Sequence, residues 1–170
     1  EKIWHGIEAP YKNLFNWLCN EGPMPKIDLL KTFNPMMLAN PISKNDFKTL
    51  ISSQFIAEWK WDGIRVQIIL GKSSVKIFSR TGDDISQSFP EIKNSGDSMV
   101  ILDGELLVGR DFTPMNFNSL QQRLNRKKVT QKHMEEFPAF IKLYDILYLN
   151  NEDLREKSWE ERRNLIENWY

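Results

Sequence analysis

Hydrophobic spacing changes character along the chain. Residues 8–20, "EAPYKNLFNWLCN", set Tyr11, Leu14, Phe15, Trp17 and Leu18 near helical spacing and stop at the breaker "NEGPMP". That predicts a short amphipathic helix and then a linker. Two Asn-Pro steps in "FNPMMLANPI", residues 33–42, disfavour helix and predict an extended segment that wraps over another part of the molecule. "SKNDFKTLIS" supplies one or two more helical turns before Ser53.

From Phe55 the period falls to two. "FIAEWKW" alternates Phe55, Ala57, Trp59 and Trp61 with Ile56, Glu58, Lys60 and Asp62, which predicts a strand. "IRVQIILG" and "SVKIFS" predict a hairpin across "GKSS", and "SMVILDGELLVG" predicts two apolar runs parted by a reversal or bulge at Asp103-Gly104. Thr113-Pro114 opens a helical stretch, "MNFNSLQQRLNRKK", and "AFIKLYDILYL" is a further strand ending at Asn150-Asn151. Ser158 with Glu161 three residues on is a capping-box pattern for a last helix, "WEERRNLIENWY". Hairpin strands with inserted helices predict an α+β fold rather than βαβ units.

Composition narrows the classes. The 170 residues are 41% hydrophobic, enough for a real core, and 23 basic residues balance 23 acidic ones. A neutral chain has no overall field for nucleic acid or an anionic membrane, so a phosphate partner must meet a local cluster of charge. The single cysteine, Cys19, excludes an internal disulfide and a Cys-rich zinc site and suits a reducing compartment. No apolar run is long enough to span a membrane and no secretory pattern opens the chain, so a cytoplasmic monomer is expected. Beginning at Glu1 and ending inside a predicted helix, the chain is expected to be a piece of a longer protein.

Candidate chemistry centres on "EWKWDGIR", residues 58–65. Strand parity puts Glu58 and Lys60 on one face and Trp59 and Trp61 on the other. Standing alone, the octapeptide is an exposed edge with a solvated ion pair. His5 and His133 have no metal-ligand spacing with Cys19. "RLNRKK", with Arg123, Arg126, Lys127 and Lys128, is the one basic cluster; it is a solvated helix face or a contact for DNA phosphates.

Further segments remove the isolation of the octapeptide. "KWDGIR" resembles the first nucleotidyltransferase motif of ATP-dependent DNA ligases, RNA ligases and capping guanylyltransferases. "FSRTGDD", "ILDGEL" and "IKLYDILYLNNEDLREKSWEERRNLIE" are similar to the following motifs in order, and "EWKWDGIRVQ" is most like a bacterial DNA ligase subgroup. The resemblance runs over residues 55–170 and implies an antiparallel-sheet nucleotidyltransferase domain of the DNA ligase adenylation type, related to ATP-grasp and incomplete here. It implies ATP and Mg2+ as cofactors and nicked double-stranded DNA as partner. Lys60 matches the nucleophile that takes AMP from ATP. Glu58 matches the contact to the adenine edge, with Trp59 beside it as part of a dry wall. Arg65 and Arg80 match contacts to ribose and phosphate, Glu105 the acidic ligand for ribose or the divalent ion, and Tyr144 the ring stacked on adenine, where the family often has Phe.

Other readings follow from the residues themselves. Asp103 is left as a second ligand or a turn residue. Parity gives Tyr144 the companions Phe140, Ile146 and Tyr148, while Asp145 interrupts the apolar set Ile141, Leu143 and Leu147 and needs a buried partner. Gly63 is expected where the backbone turns sharply or approaches the nucleotide. Residues 1–45 are expected to be the tail of a helical DNA-binding domain plus linker, and residues 46–170 the first part of the adenylation domain. The family's later motifs, including two lysines that meet the α-phosphate, have no match in these residues, so weak self-adenylylation and no nick sealing are expected. An RNA ligase or capping-type enzyme, and a nucleotide-binding module without turnover, stand as alternatives.

Overall fold

A computed structural model describes residues 7, 9–26, 32–94, 96–124, 126, 128–150 and 152–169. His5 and Lys127 lie outside the described residues. The elements in order are α1 (Lys12–Leu18), β1 (Ile64–Gly71), β2 (Ser74–Ser79), β3 (Val100–Arg110), β4 (Thr113–Pro114), α2 (Phe117–Leu124), α3 (Gln131–Glu136), β5 (Ala139–Leu149), β6 (Glu152–Asp153) and α4 (Trp159–Trp169). Short 3-10 turns lie at Asp46–Lys48, Ser52–Gln54 and Ser86–Ser88. The strands form one antiparallel sheet in the order β2-β1-β3-β5-β6, with β4 folding back on the end of β3. This is the expected α+β architecture.

β1 is buried on both faces from Val66 onward, which suits the consecutive apolar residues Ile68, Ile69 and Leu70. Val66, Ile68 and Leu70 meet Leu102, Leu106, Leu120 and Ile166 in the main core under α2 and α4. On the opposite face, Ile69, Phe78, Ile101 and Leu147 form a second cluster with Phe33 and Met37. The proline-bearing segment therefore wraps over the sheet as expected. Gln67 explains how: its side-chain amide accepts from Asn34 N and donates to Asn34 O, both at 2.8 Å. One buried glutamine thus makes the pair of bonds a neighbouring strand would make, where the prolines prevent a ladder.

Three predicted elements differ. Residues 55–61 are not a strand; no ladder forms there, residues 55–60 are exposed, and β1 begins only at Ile64. Alternation alone cannot make a strand that has no partner for its backbone groups. Asp103-Gly104 does not reverse the chain, because β3 runs straight through it. Gly104 instead admits β5: a Cβ there would lie 2.8 Å from Lys142 O and 2.8 Å from Ile141 Cγ2. The other expected form, a bulge, matches the β3–β5 register, which shifts at Ile101/Leu102 and at Asp103/Gly104. Those shifts break the simple parity of β5, so Ile146 lies in the core with Ile141 and Leu143 rather than beside Tyr144. Thr113-Pro114 pairs with β3, and α2 starts at Phe117.

The last helix starts as its capping pattern requires. Glu161 Oε2 accepts from Ser158 N at 2.9 Å, and Glu161 N donates to Ser158 Oγ at 3.3 Å. Asp145 finds its partner on that helix, accepting from Arg162 Nε at 2.8 Å and Nη2 at 3.0 Å. His133 is a cap rather than a ligand: its Nδ1 accepts from Thr130 N while its own N–H donates to Thr130 Oγ1. No helix among the described residues is long and apolar enough to cross a membrane.

Arg123 overturns one expected role. It is 0% exposed, so it cannot meet DNA phosphates. Its guanidinium donates to both oxygens of Glu91 at 2.7 and 2.8 Å, to Phe137 O at 2.7 Å and to Ser88 O at 2.7 Å, lying over the Phe89 ring. It joins α2 to the loop after β2 and to the entry of β5. Arg123→Met is expected to destabilise the fold by roughly 3–5 kcal/mol, because it strands a half-buried carboxylate and two carbonyls. Urea unfolding measures this, and adding Glu91→Leu should recover part of the loss.

Candidate active site

A cleft of about 840 Å³ opens on the face of the sheet opposite the main core. β1 supplies Arg65, β3 supplies Glu105 and β5 supplies Tyr144, while the irregular lead-in to β1 supplies Glu58, Trp59 and Lys60. Arg80 enters from the loop after β2. Every residue expected at the nucleotide from sequence therefore lines one cavity.

The floor is an ion pair. Asp103, 1% exposed, accepts from Arg65 Nε at 3.1 Å and from Nη2 at 2.5 Å. Arg65 Nη2 also donates to Met37 O at 2.7 Å, fastening the wrapped segment to the cleft. Asp103 is thus neither a turn residue nor a free metal ligand: it orients Arg65. Burial pushes the Asp103 carboxyl above the usual carboxylate range despite the guanidinium beside it. The same pair raises the already high pKa of Arg65, so that side chain stays a cation.

Tyr144 stands beside this pair. The Arg65 guanidinium lies 5.8 Å from its ring centroid. Desolvation, with the negative charge of Asp103 added, pushes the phenol well above the ordinary tyrosine range. A phenylalanine would offer the same π face without the hydroxyl, so stacking alone does not call for the phenol.

Glu105 stands one register step away, with Arg65 paired across on β1 and Lys142 paired across on β5. Burial raises its carboxyl, while the Gly63 N–H and the charge of Lys60 oppose the rise. Gly63 lines the cleft, and a Cβ there would meet Leu106 O, so contact with β3 by itself requires the glycine. That contact delivers Lys60 to the mouth of the cleft.

The two tryptophans do not form a packed wall. Trp59 is 84% exposed, and its ring lies 6.4 Å from that of Trp61, tilted by 43°. Around Arg80 the loop is held by hydroxyls: Asp83 accepts from Thr81 Oγ1 at 2.5 Å and from Ser79 Oγ at 3.2 Å, which holds its carboxyl below the usual range. Thr81 and Asp83 line the cleft and were not singled out from sequence, although they stand inside "FSRTGDD". Of the basic cluster, Arg126 and Lys128 are exposed, and Arg126 Nε donates to Gln122 O at 3.1 Å.

Among the described residues no three His, Cys, Asp or Glu side chains gather as a metal cage. Among the described residues Glu105, like Glu58 and Asp83, is a cleft carboxylate without an arginine ion pair, and it alone of the three stands on a strand of the sheet. A magnesium ion commonly takes only one or two carboxylates and completes its shell with water and phosphate oxygens, so this donor fits such an ion.

Comparison with known proteins follows the same residues. A family model described as the ATP dependent DNA ligase domain matches residues 36–170. The chain is 36% identical over 143 residues to a probable DNA ligase of Koribacter versatilis, covering 81% of this chain and 25% of that protein. It is 36% identical over 137 residues to a DNA ligase of Methanothrix thermoacetophila, covering 77% of this chain and again 25% of the relative. The chain thus spans about a quarter of the length of these curated relatives. Among solved structures, a mycobacterial DNA ligase D complexed with ATP and MES superposes with a TM-score of 0.54 at 25% identity, over 66% of this chain and 35% of that one. The ligase domain from M. tuberculosis LigD gives 0.53 at 27% identity over 66% of this chain and 36% of the other.

The buried Tyr144 phenol has a pH signature. Its folded pKa lies above the unfolded value, so its contribution to stability is complete below about pH 10 and is lost as pH rises beyond it. Tyr144→Phe is expected to flatten the alkaline fall in stability, measured as urea midpoints between about pH 9 and pH 11. Parallel curves for the two proteins would contradict the assignment.

Proposed function

The chain belongs to the ATP-dependent DNA ligase family, and from that premise we propose that it carries the nucleotide-charging half of a DNA-joining enzyme. Lys60 is the nucleophile. Its amine attacks the α-phosphorus of ATP, a P–N bond forms, the P–O bond to pyrophosphate breaks, and the amine proton is released, leaving AMP on the lysine. In the parent protein this AMP passes to the 5′-phosphate of a nick, and the 3′-hydroxyl then displaces it, in repair or recombination.

The observation that carries this reading is the convergence of Lys60, Glu58, Arg65, Arg80, Glu105 and Tyr144 on one cleft from four separate parts of the chain. Each has a role its chemistry suits. Tyr144 offers a π face to adenine and Glu58 an acceptor for the amino edge of the base. Arg65, oriented by Asp103, and Arg80 offer guanidinium donors to ribose and phosphate oxygens. Glu105 would hold a magnesium ion, which supplies charge stabilisation to the transferring phosphoryl group.

The remaining parts of the reading concern organisation. Residues 46–170 form the first part of the adenylation domain, residues 1–45 the tail of a DNA-binding unit with its linker, and Arg126, Lys127 and Lys128 a patch for DNA phosphates. Nicked double-stranded DNA is the polymer substrate.

Incubation with α-labelled ATP and magnesium is expected to put label on Lys60, located by peptide mapping. Lys60→Ala should abolish it, and GTP should not replace ATP. Arg80→Ala should weaken ATP binding by roughly ten-fold, as expected for one charge-assisted hydrogen bond. Label retained in Lys60→Ala would sink the nucleophile assignment, and equal labelling by GTP would favour the capping-type alternative.

A further inference from the structure

The nucleophile stands on a segment without secondary structure. Residues 55–60 pair with no strand and are exposed, so backbone ladders cannot fix Lys60. Two side-chain anchors flank it. On one side Gly63 packs on β3, where a Cβ would meet Leu106 O, Leu107 and Glu105. On the other, Trp61 is the first partly buried residue of the segment, and what it meets is Lys142.

Lys142 is unusual in its surroundings. Its ammonium lies 5.4 Å from the Trp61 ring centroid, 5.5 Å from Phe112 and 5.8 Å from Phe140. Phe112 and Phe140 meet edge to face at 5.7 Å and 86°. Phe112 and Asp111, with φ of 58° and 50°, are the two central residues of the tight turn that joins β3 to β4, where a hairpin of this length takes positive φ at both. Glu105 is the cross-strand neighbour of Lys142, yet no ion pair joins Lys142 to any described carboxylate. Lys60 and Arg65 are cations whose charge holds the Glu105 carboxyl down against its burial. The charge of Lys142 is directed at ring faces, where partial desolvation strengthens it.

We propose that Lys142 is a positioning residue for the AMP-transfer step: its cation–π contact holds Trp61, and through Trp61 it sets the place of the adjoining Lys60. The inference rests on Lys60 being the nucleophile. It adds a role on β5 that neither the motifs nor the cleft lining assigns, since Lys142 does not line the nucleotide cleft. Lys142 reaches no reacting atom itself.

The test combines a spectroscopic and a kinetic readout. The chain is labelled with 5-fluorotryptophan, and the Trp61 resonance is identified by its loss in Trp61→Phe. Lys142→Met should move that resonance toward the position of exposed Trp59, and Lys142→Arg, which keeps a cation, should return it. For AMP transfer to Lys60, Lys142→Met and Trp61→Leu should each slow labelling by about 5- to 30-fold, the range for losing one partly desolvated cation–π contact. The double variant should be no slower than the slower single one, because both remove the same link. An unmoved Trp61 resonance in Lys142→Met overturns the proposal, as do multiplicative losses in the double variant. If the unsubstituted chain gives no label, the nucleophile reading fails by that result, and the resonance still decides whether Lys142 holds Trp61.

Discussion

The structure turns on the buried contact between Arg65 and Asp103. It joins neighbouring strands of the sheet, β1 and β3, at the point where the second core ends and the cleft begins. A carboxylate taken almost wholly out of water is tolerable only with a cation bonded to it, and here the guanidinium fork supplies both the charge and the hydrogen bonds. The pair fixes the Arg65 fork, sets it beside the Tyr144 ring, and through Met37 O secures the wrapped amino-terminal segment. Removing either partner leaves a buried charge and also frees the far wall of the cleft.

This arrangement makes the two faces of the sheet unequal. The α2/α4 face is sealed by aliphatic side chains and by Arg123, whose bonds are all internal. The other face is sealed only along Phe33–Met37, by Gln67 standing in for a strand, and beyond that it is open and charged. Arg65, Glu105 and Lys142 lie abreast on three neighbouring strands, alternating in sign across the sheet. Such a row suits an anionic ligand better than a uniformly basic groove would, because the acidic member between the cations can hold a divalent ion while its neighbours meet phosphate or ring faces. A chain with no net charge therefore provides phosphate chemistry through placement rather than through excess.

Much of this is legible in the sequence. Period-two runs gave β1, β2 and β5, the Ser158–Glu161 pattern gave the start of α4, and the motif residues proved to share one cleft. Asp145 was recognisable as paired because it broke an apolar face. What stayed hidden depended on partners distant in the chain. The alternation of "FIAEWKW" suggests a strand, but nothing local says that no neighbour accepts its hydrogen bonds. Arg123 in "RLNRKK" cannot be told from its exposed neighbours by charge, since its burial is decided by Glu91 and two carbonyls elsewhere. Asp-Gly in β3 has the composition of a turn, whereas the close approach of β5 is what demands the glycine. Lys142, flanked by Ile141 and Leu143, carries no local sign of the three rings it meets.

The edge of β5 carries a last consequence. β6 covers only Tyr148 and Leu149, and Leu147 O accepts from Leu154 N, so residues 139–146 have no further strand beside them among the described residues. A long open edge is a template for pairing with another copy of the chain. Two features oppose it. The register shifts at Asp103/Gly104 and Ile101/Leu102 distort the strand out of a flat line, and antiparallel self-pairing centred on Lys142 would set two ammonium groups opposite each other. The lysine gathered by aromatic rings would thus meet its own like charge in any such pairing of this strand.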